Sequence, residues 1–228
     1  MGIFDRLDEV FASVRKNTVG ALLDALAAQQ QRRKEEAFSV ALIALSAKMA
    51  KADGVVTDSE INAFQEFFRF GPEDARKVRI VFDLAKQDVA GFDHYVKQVA
   101  RLFAQDPVVL EDVIDCLLYV ALADGQTHPR EMEMLEGAAR IFGLKPGAWR
   151  RIKAAHLGMA DDDPYVILGL SHDADGDAIR ARYRDLMREN HPDALIARGV
   201  PPNLVKIAEN RTAAINAAYE KILAERDR

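Results

Sequence analysis

The sequence predicts an all-α protein, and three observations lead there. Ala, Leu, Arg and Asp are abundant while aromatic residues make up only 7 % of 228 positions, a balance that favours helix over strand. Apolar residues recur at helical spacing along most of the chain, and no segment shows the alternation of a half-buried strand. Capping signals punctuate those stretches. Thr57-Asp58-Ser59-Glu60 places Thr at N-cap and Glu at N3, Gly71-Pro72 breaks the helix it opens, and Asp163-Pro164 starts another.

Composition narrows the function. A hydrophobic share of 49 % and a charged share of 29 % are those of an ordinary soluble globular chain. The net charge of −5 argues against nucleic acid as a partner, because phosphate binding needs a basic surface. The one cysteine, Cys116, excludes an internal disulfide and a multi-cysteine zinc site. It shares a helical stripe with Val113, Leu117 and Val120, which predicts a buried, inert thiol. No run reaches the roughly 20 apolar residues of a transmembrane segment. Acids also stand where a signal peptide would have its apolar core, so a cytoplasmic location is expected. His94, His128, His156 and His172 lack zinc-motif spacing, and there is no phosphate-binding loop or nucleophile triad. The chain therefore reads as a non-enzyme without a cofactor.

The elements follow in order. Residues 1–36 form an amphipathic segment with Ile3, Phe4, Leu7, Val10, Phe11 and Val14 on one face. Its polar face balances Arg6, Arg15 and Lys16 against Asp5, Asp8 and Glu9. That suits packing on protein better than on lipid, which prefers a cationic face. Gln29 to Glu36 is polar, a linker or a solvated helical turn. Helices are expected at 37–51, from Thr57 to about Phe70, and at about 72–87, 91–104, 108–123, 129–142 and 146–157. Ala52-Asp53-Gly54 with Glu60 recurs as Ala123-Asp124-Gly125 with Glu131, offset by 71 residues. In each copy a helix ends at Asp-Gly, where Gly supplies the left-handed residue, and another opens with Glu at N3; Pro129 suits N1 of the second. Residues 37–158 thus read as two related helical hairpins within a bundle of about eight helices, and 159–162 as a short acidic linker.

Residues 163–228 have their own layout. Asp163-Pro164-Tyr165 opens a short helix with Ile167, Leu168 and Leu170 on its apolar side. A helix over 176–189 carries the apolar stripe Ile179, Tyr183, Leu186, Met187 and the basic stripe Arg180, Arg184, Arg188. His191-Pro192-Asp193 follows at once. A third helix over about 203–226 offers Val205, Ile207, Ala208, Ile215, Ala218, Tyr219 and Ile222 to a core.

This layout resembles the J domain of the DnaJ (Hsp40) co-chaperones. The matching residues are Asp163-Pro164-Tyr165 with Leu168-Gly169-Leu170, Ile179-Arg180, Tyr183-Arg184 with Leu186, His191-Pro192-Asp193, and Ile215-Asn216-Ala217-Ala218-Tyr219-Glu220. The resemblance implies a three-helix domain whose second helix and tripeptide dock on an Hsp70 of the DnaK type and stimulate its ATPase. It assigns that contact to His191, Pro192, Asp193, Arg180, Tyr183, Arg184 and Arg188. The residues suit the role, since the arginines can steer an acidic partner and Pro192 stiffens the turn. Read alone, the same stripe is also an ordinary solvated face, and Tyr183 a core residue with an exposed hydroxyl. The chain departs from the family pattern at Asn190, where an aromatic is usual, and at Ala194, where a basic residue often follows the tripeptide.

The long loop Leu195 to Pro202 is similar to that of the DjlA-type co-chaperones, which place a J domain behind a TerB-like (tellurite-resistance) helical domain. The repeated Ala-Asp-Gly…Glu blocks also resemble TerB. The resemblance implies that the first domain serves localisation, dimerisation or client choice. Members of that group carry an N-terminal membrane segment, which is not expected here. Asp53, Glu60, Asp124 and Glu131 raise a metal alternative, because Asp-Gly-x5-Glu matches three positions of an EF-hand loop. The other ligand positions hold Met49 and Lys51, or Val120 and Leu122, none of which binds calcium, and helix capping explains the same acids. The alternative function is a stress-response interaction or metal-sensing protein with a degenerate J domain.

Overall fold

The computed structural model describes residues 34–53, 80, 84, 91–122, 128–158, 163–200 and 205–226. These form nine helices: α1 (Lys34–Asp53), α2 (Phe92–Leu102), α3 (Pro107–Ala121), α4 (Pro129–Ile141), α5 (Pro146–Leu157), α6 (Pro164–Leu168), α7 (Gly176–Glu189), α8 (Pro192–Ala197) and α9 (Val205–Arg226). No strand occurs among them. The all-α expectation is met. The polar stretch before α1 contributes its first turn, Lys34 to Glu36. Helix α3 stops at Ala121, short of Asp124. The segment after His191 is half helical rather than a plain loop. The amphipathic N-terminal face, the Thr57–Glu60 capping box, Gly71-Pro72, and Gly54 and Gly125 lie outside the described residues. Of the helix expected at 72–87, Ile80 and Leu84 are described, and both are helical.

Five of these helices carry proline in their first turn: Pro107, Pro129, Pro146, Pro164 and Pro192. The missing N–H costs nothing there, and the fixed φ favours a sharp start. Helix α1 is buried on all sides from Ala37 to Met49 and packs against α2, α3 and α4. A helix apolar all round belongs in the middle of a bundle. Lys48, buried near its end, lies over the Tyr95 ring at 4.7 Å from the centroid. Phe38, Leu42, Val99, Leu117 and Leu135 are among the residues of this first core. Cys116 is buried in it as well, and burial raises its thiol well above the usual range. The second core gathers Ile167, Leu168, Ile179, Leu186, Ile215, Ala218 and Ile222 from α6, α7 and α9.

The two cores interlock. Helix α5 gives Ile152 to the first and Ala154 to the second. Helix α9 packs along α5 and α6, and its first turn sends Ile207 and Ala208 into the first core. Leu195 and Val200, at the two ends of the stretch after the tripeptide, go there too. Burial of such side chains stabilises by about 1.5–3 kcal/mol each. At the α5–α6 contact the backbones nearly touch. A Cβ on Gly147 would stand 2.6 Å from the Val166 carbonyl oxygen and 3.3 Å from the Gly169 Cα.

A charged knot closes the seam. Arg211 of α9 is 1 % exposed. Its Nε donates to Asp115 Oδ2 at 2.6 Å, and its Nη1 donates to Asp112 Oδ1 at 2.9 Å. His156 of α5 donates from Nε2 to Asp115 Oδ1, a carboxylate oxygen that can only accept. Arg151 of α5 spans the same junction, donating to the Ile167 carbonyl at 3.1 Å and to Glu111 at 3.4 Å. Burial alone would raise the Asp115 carboxyl. The charge of Arg211 and the bond from His156 outweigh it and hold the group below its ordinary 3.8.

Two outcomes are expected from this packing. Gly147→Ala adds helix propensity but forces two backbones apart, an overpacking worth about 1–3 kcal/mol. Its Tm should fall by about 2–8 °C, and an unchanged or higher Tm would show that the contact yields. Arg211→Met leaves two buried carboxylates with Arg198 as the one remaining guanidinium and should remove about 3–5 kcal/mol of unfolding free energy in urea; a loss under about 1 kcal/mol contradicts the knot. Acid should weaken it too. The depressed carboxyl contributes its stability above the unfolded-state value and loses it as pH falls through the lower folded value. The drop in stability between about pH 7 and pH 3 should therefore be smaller in Asp115→Asn, and equal drops would dismiss the pairing.

Candidate functional site

The site is built at the turn between α7 and α8. Asp175 caps α7 by accepting from the Ala178 N–H at 2.7 Å, and Asp163 caps α6 by accepting from the Tyr165 N–H at 2.9 Å. Helix α7 ends where the Asn190 N–H and side-chain amide both donate to the Leu186 carbonyl. Asn190 is 3 % exposed, whereas the side chain of His191, next in the chain, is 61 % exposed. His191 is the N-cap of α8, its Nδ1 accepting from the Asp193 N–H at 3.2 Å. With Nδ1 used as acceptor, Nε2 is the ring nitrogen left to donate. Pro192 takes the first helical position, and the Asp193 carboxylate is 89 % exposed.

The far end of α8 is closed equally well. Gly199 has φ 97°, the left-handed region that glycine tolerates. Its N–H bonds the Ile196 carbonyl at 2.9 Å and the Val200 N–H bonds the Leu195 carbonyl at 3.1 Å. This is the paired pattern that ends a helix on a left-handed residue. The tripeptide therefore stands at one end of a short helix that Leu195, with Val200 just beyond the helix, ties to the first core.

The basic stripe lies on α7 as expected, but its charges differ in availability. Arg180 is paired with Asp177 at 2.6 Å, and Arg188 with Asp185. Arg184 is exposed and has no ion pair among the described residues. Tyr183 stacks on Tyr219 with ring centroids 4.2 Å apart and donates its hydroxyl to Asn216 Oδ1 at 2.8 Å. Its ring thus belongs to the α7–α9 contact. One edge still lines an open groove of about 590 Å³ with Ala181, Arg184, Asp185, Met187 and Arg188. The groove and the tripeptide are both on α7 or immediately beyond it.

Of the acidic residues of the repeat, Glu131 alone has a described side chain. Glu131 is buried at the third position of α4. Asp53 ends α1, and its side chain, with Glu60 and Asp124, lies outside the described residues. Among the described residues no group of three or more His, Cys, Asp or Glu could hold a metal ion. None of the described helices is long and apolar enough to cross a membrane.

Sequence reasoning missed Asp112, Asp115 and Arg211. A signal was present: two carboxylates three residues apart in a helix otherwise apolar on almost every side, Val-Val-Leu-Glu-Asp-Val-Ile-Asp-Cys-Leu-Leu. Acids in such a position need a buried cation.

Comparison with known proteins bears on most of the chain. The family model for tellurite resistance protein TerB matches residues 39–154, and that for the DnaJ domain matches 163–228. A "Co-chaperone protein DjlA" of Aliivibrio fischeri is 26 % identical over 236 residues, covering 88 % of this chain and 82 % of its own. The protein of the same name in Coxiella burnetii is 29 % identical over 218 residues, covering 87 % and 81 %. That of Vibrio parahaemolyticus is 28 % identical over 224 residues, covering 84 % and 79 %. No solved structure matches the chain. A TerB helical domain followed in order by a J domain, along most of the length of DjlA proteins, shows that this chain belongs to the DjlA-like family of J-domain proteins.

Proposed function

We propose that the protein is a co-chaperone that docks on an Hsp70 of the DnaK type and stimulates its ATPase. The observation that carries this reading is the exposed His191-Pro192-Asp193 turn, held by a capped helix beside the basic face of α7. A site of this kind binds rather than catalyses. His191 offers a donor at Nε2, Asp193 offers an exposed acceptor, and Pro192 limits the ordering needed on docking. Arg184 is the charge most available to an acidic partner surface. Arg180 and Arg188 must exchange an intrahelical acid for a partner's, so they contribute less. Tyr183 supports the groove from behind through its contact with Tyr219 and Asn216. The TerB-like domain serves localisation, dimerisation or client choice.

The test is single-turnover ATP hydrolysis by the cognate DnaK. Wild type should accelerate it. His191→Gln, folded by circular dichroism, should lose about ten- to hundredfold in potency, the range for one hydrogen bond involving a charged group. No stimulation by folded wild type would sink the reading. Arg184→Glu should raise the half-maximal concentration and reduce its dependence on salt, since it removes the steering charge. Equal potency and salt dependence would take Arg184 out of the interface.

A further inference from the structure

The tripeptide turn is fastened to the first domain by three connections, two of which converge on one carboxylate. Asp112 of α3 accepts from Arg198 Nε at 2.7 Å and from Arg198 Nη2 at 3.2 Å, a two-pronged pair across the seam. Arg198 in turn donates from Nη1 to the Glu189 carbonyl at 3.0 Å, at the end of α7. Asp112 also accepts from Arg211, whose Nη1 donates to Asn190 Oδ1 at 2.9 Å. Leu195 and Val200 anchor the following stretch in the first core. One carboxylate of the first domain thereby holds the residues on both sides of His191-Pro192-Asp193. Its own side chain is 1 % exposed, so it has no access to a docking partner.

We infer that Asp112 is a positioning residue for the Hsp70-docking turn, acting through Arg198 and Arg211 on Glu189 and Asn190. The TerB-like domain then has a second role besides recruitment: it fixes the geometry of its J domain. This rests on the proposed function, and it gives the two departures at this turn a physical setting. Asn190 accepts from the guanidinium of Arg211 through its amide oxygen. The segment after the turn is anchored by burial of Leu195 and Val200, so a basic residue at 194 is not what holds it. Two ordering contacts at a binding loop lower the entropy lost on docking and so raise affinity.

The test uses the full chain with Asp112→Asn, and Leu117→Ala as a control that opens a cavity in the same helix away from the seam. Hydrogen exchange read by mass spectrometry over 189–200 should speed up about tenfold in Asp112→Asn, and the half-maximal concentration for ATPase stimulation should rise by a similar factor, within the range of coupling between sites. The maximal rate at saturation should stay close to wild type. Leu117→Ala should lower Tm yet leave both local exchange and half-maximal concentration unchanged, which separates positioning from general destabilisation. If Asp112→Asn does not fold, Arg198→Ala takes its place, because it leaves Asp112 paired with Arg211. Wild-type exchange and potency in a folded variant would overturn the inference, as would equal effects in Leu117→Ala. Absence of stimulation by wild type would instead reject the co-chaperone reading, and the exchange measurement would still decide whether Asp112 braces the turn.

Discussion

Arg211 cannot lose its proton inside a protein, and it lies buried in the seam between two helical domains. That combination imposes a constraint on everything near it. An uncompensated guanidinium in such a place is prohibitively unstable, so carboxylates must come to it. Asp112 and Asp115 do so from α3, which fixes the rotation of α3 toward α9. His156 and Arg198 then satisfy the oxygens that Arg211 leaves open. The knot is balanced in charge: two carboxylates face two guanidiniums. It sits among apolar contacts that join the cores, including Ile152, Ala154, Ile207 and Ala208. Hydrophobic burial supplies the adhesion, and the charged network selects one arrangement of the two domains.

The same network reaches the surface at the exposed turn. Burial changes abruptly there, from Asn190 inside to His191 outside. An exposed group is held most sharply when its covalent neighbour is fixed. The short helix α8 transmits that fixation, with His191 capping one end and Gly199 closing the other. Presentation of the tripeptide is therefore a property of the two domains together. In a J domain standing alone, Arg198, Arg211, Leu195 and Val200 would lose their partners in the first domain.

Local order in the J domain was legible because it depends on neighbours in sequence. Asp163, Pro164 and Asp175 act within a turn of their own position, so α6 and α7 begin where the residues indicate, whereas Pro192 read as the stiffener of a loop and starts the unexpected helix α8. The apolar stripes of α7 and α9 identified Ile179, Leu186, Ile215, Ala218 and Ile222 as core residues. The order of motifs identified the family, and Cys116 was correctly placed inside. The basic stripe was legible as a face, yet the pairing of Arg180 and Arg188 with acids three residues away was not weighed.

By itself, then, the sequence determined the helical class, the J-domain layout, and the residues that flank and form the exposed turn. All of these arise from periodicity, caps and short-range spacing. Only the tertiary structure decided which core receives Leu195, Val200, Ile207 and Ala208, and that Asp112 and Asp115 face Arg211, ninety-six residues or more along the chain. Helical periodicity says that a residue is buried, but not against what. Charge pairing across a seam has no spacing rule, because the distance along the chain between partners is set by how whole helices pack.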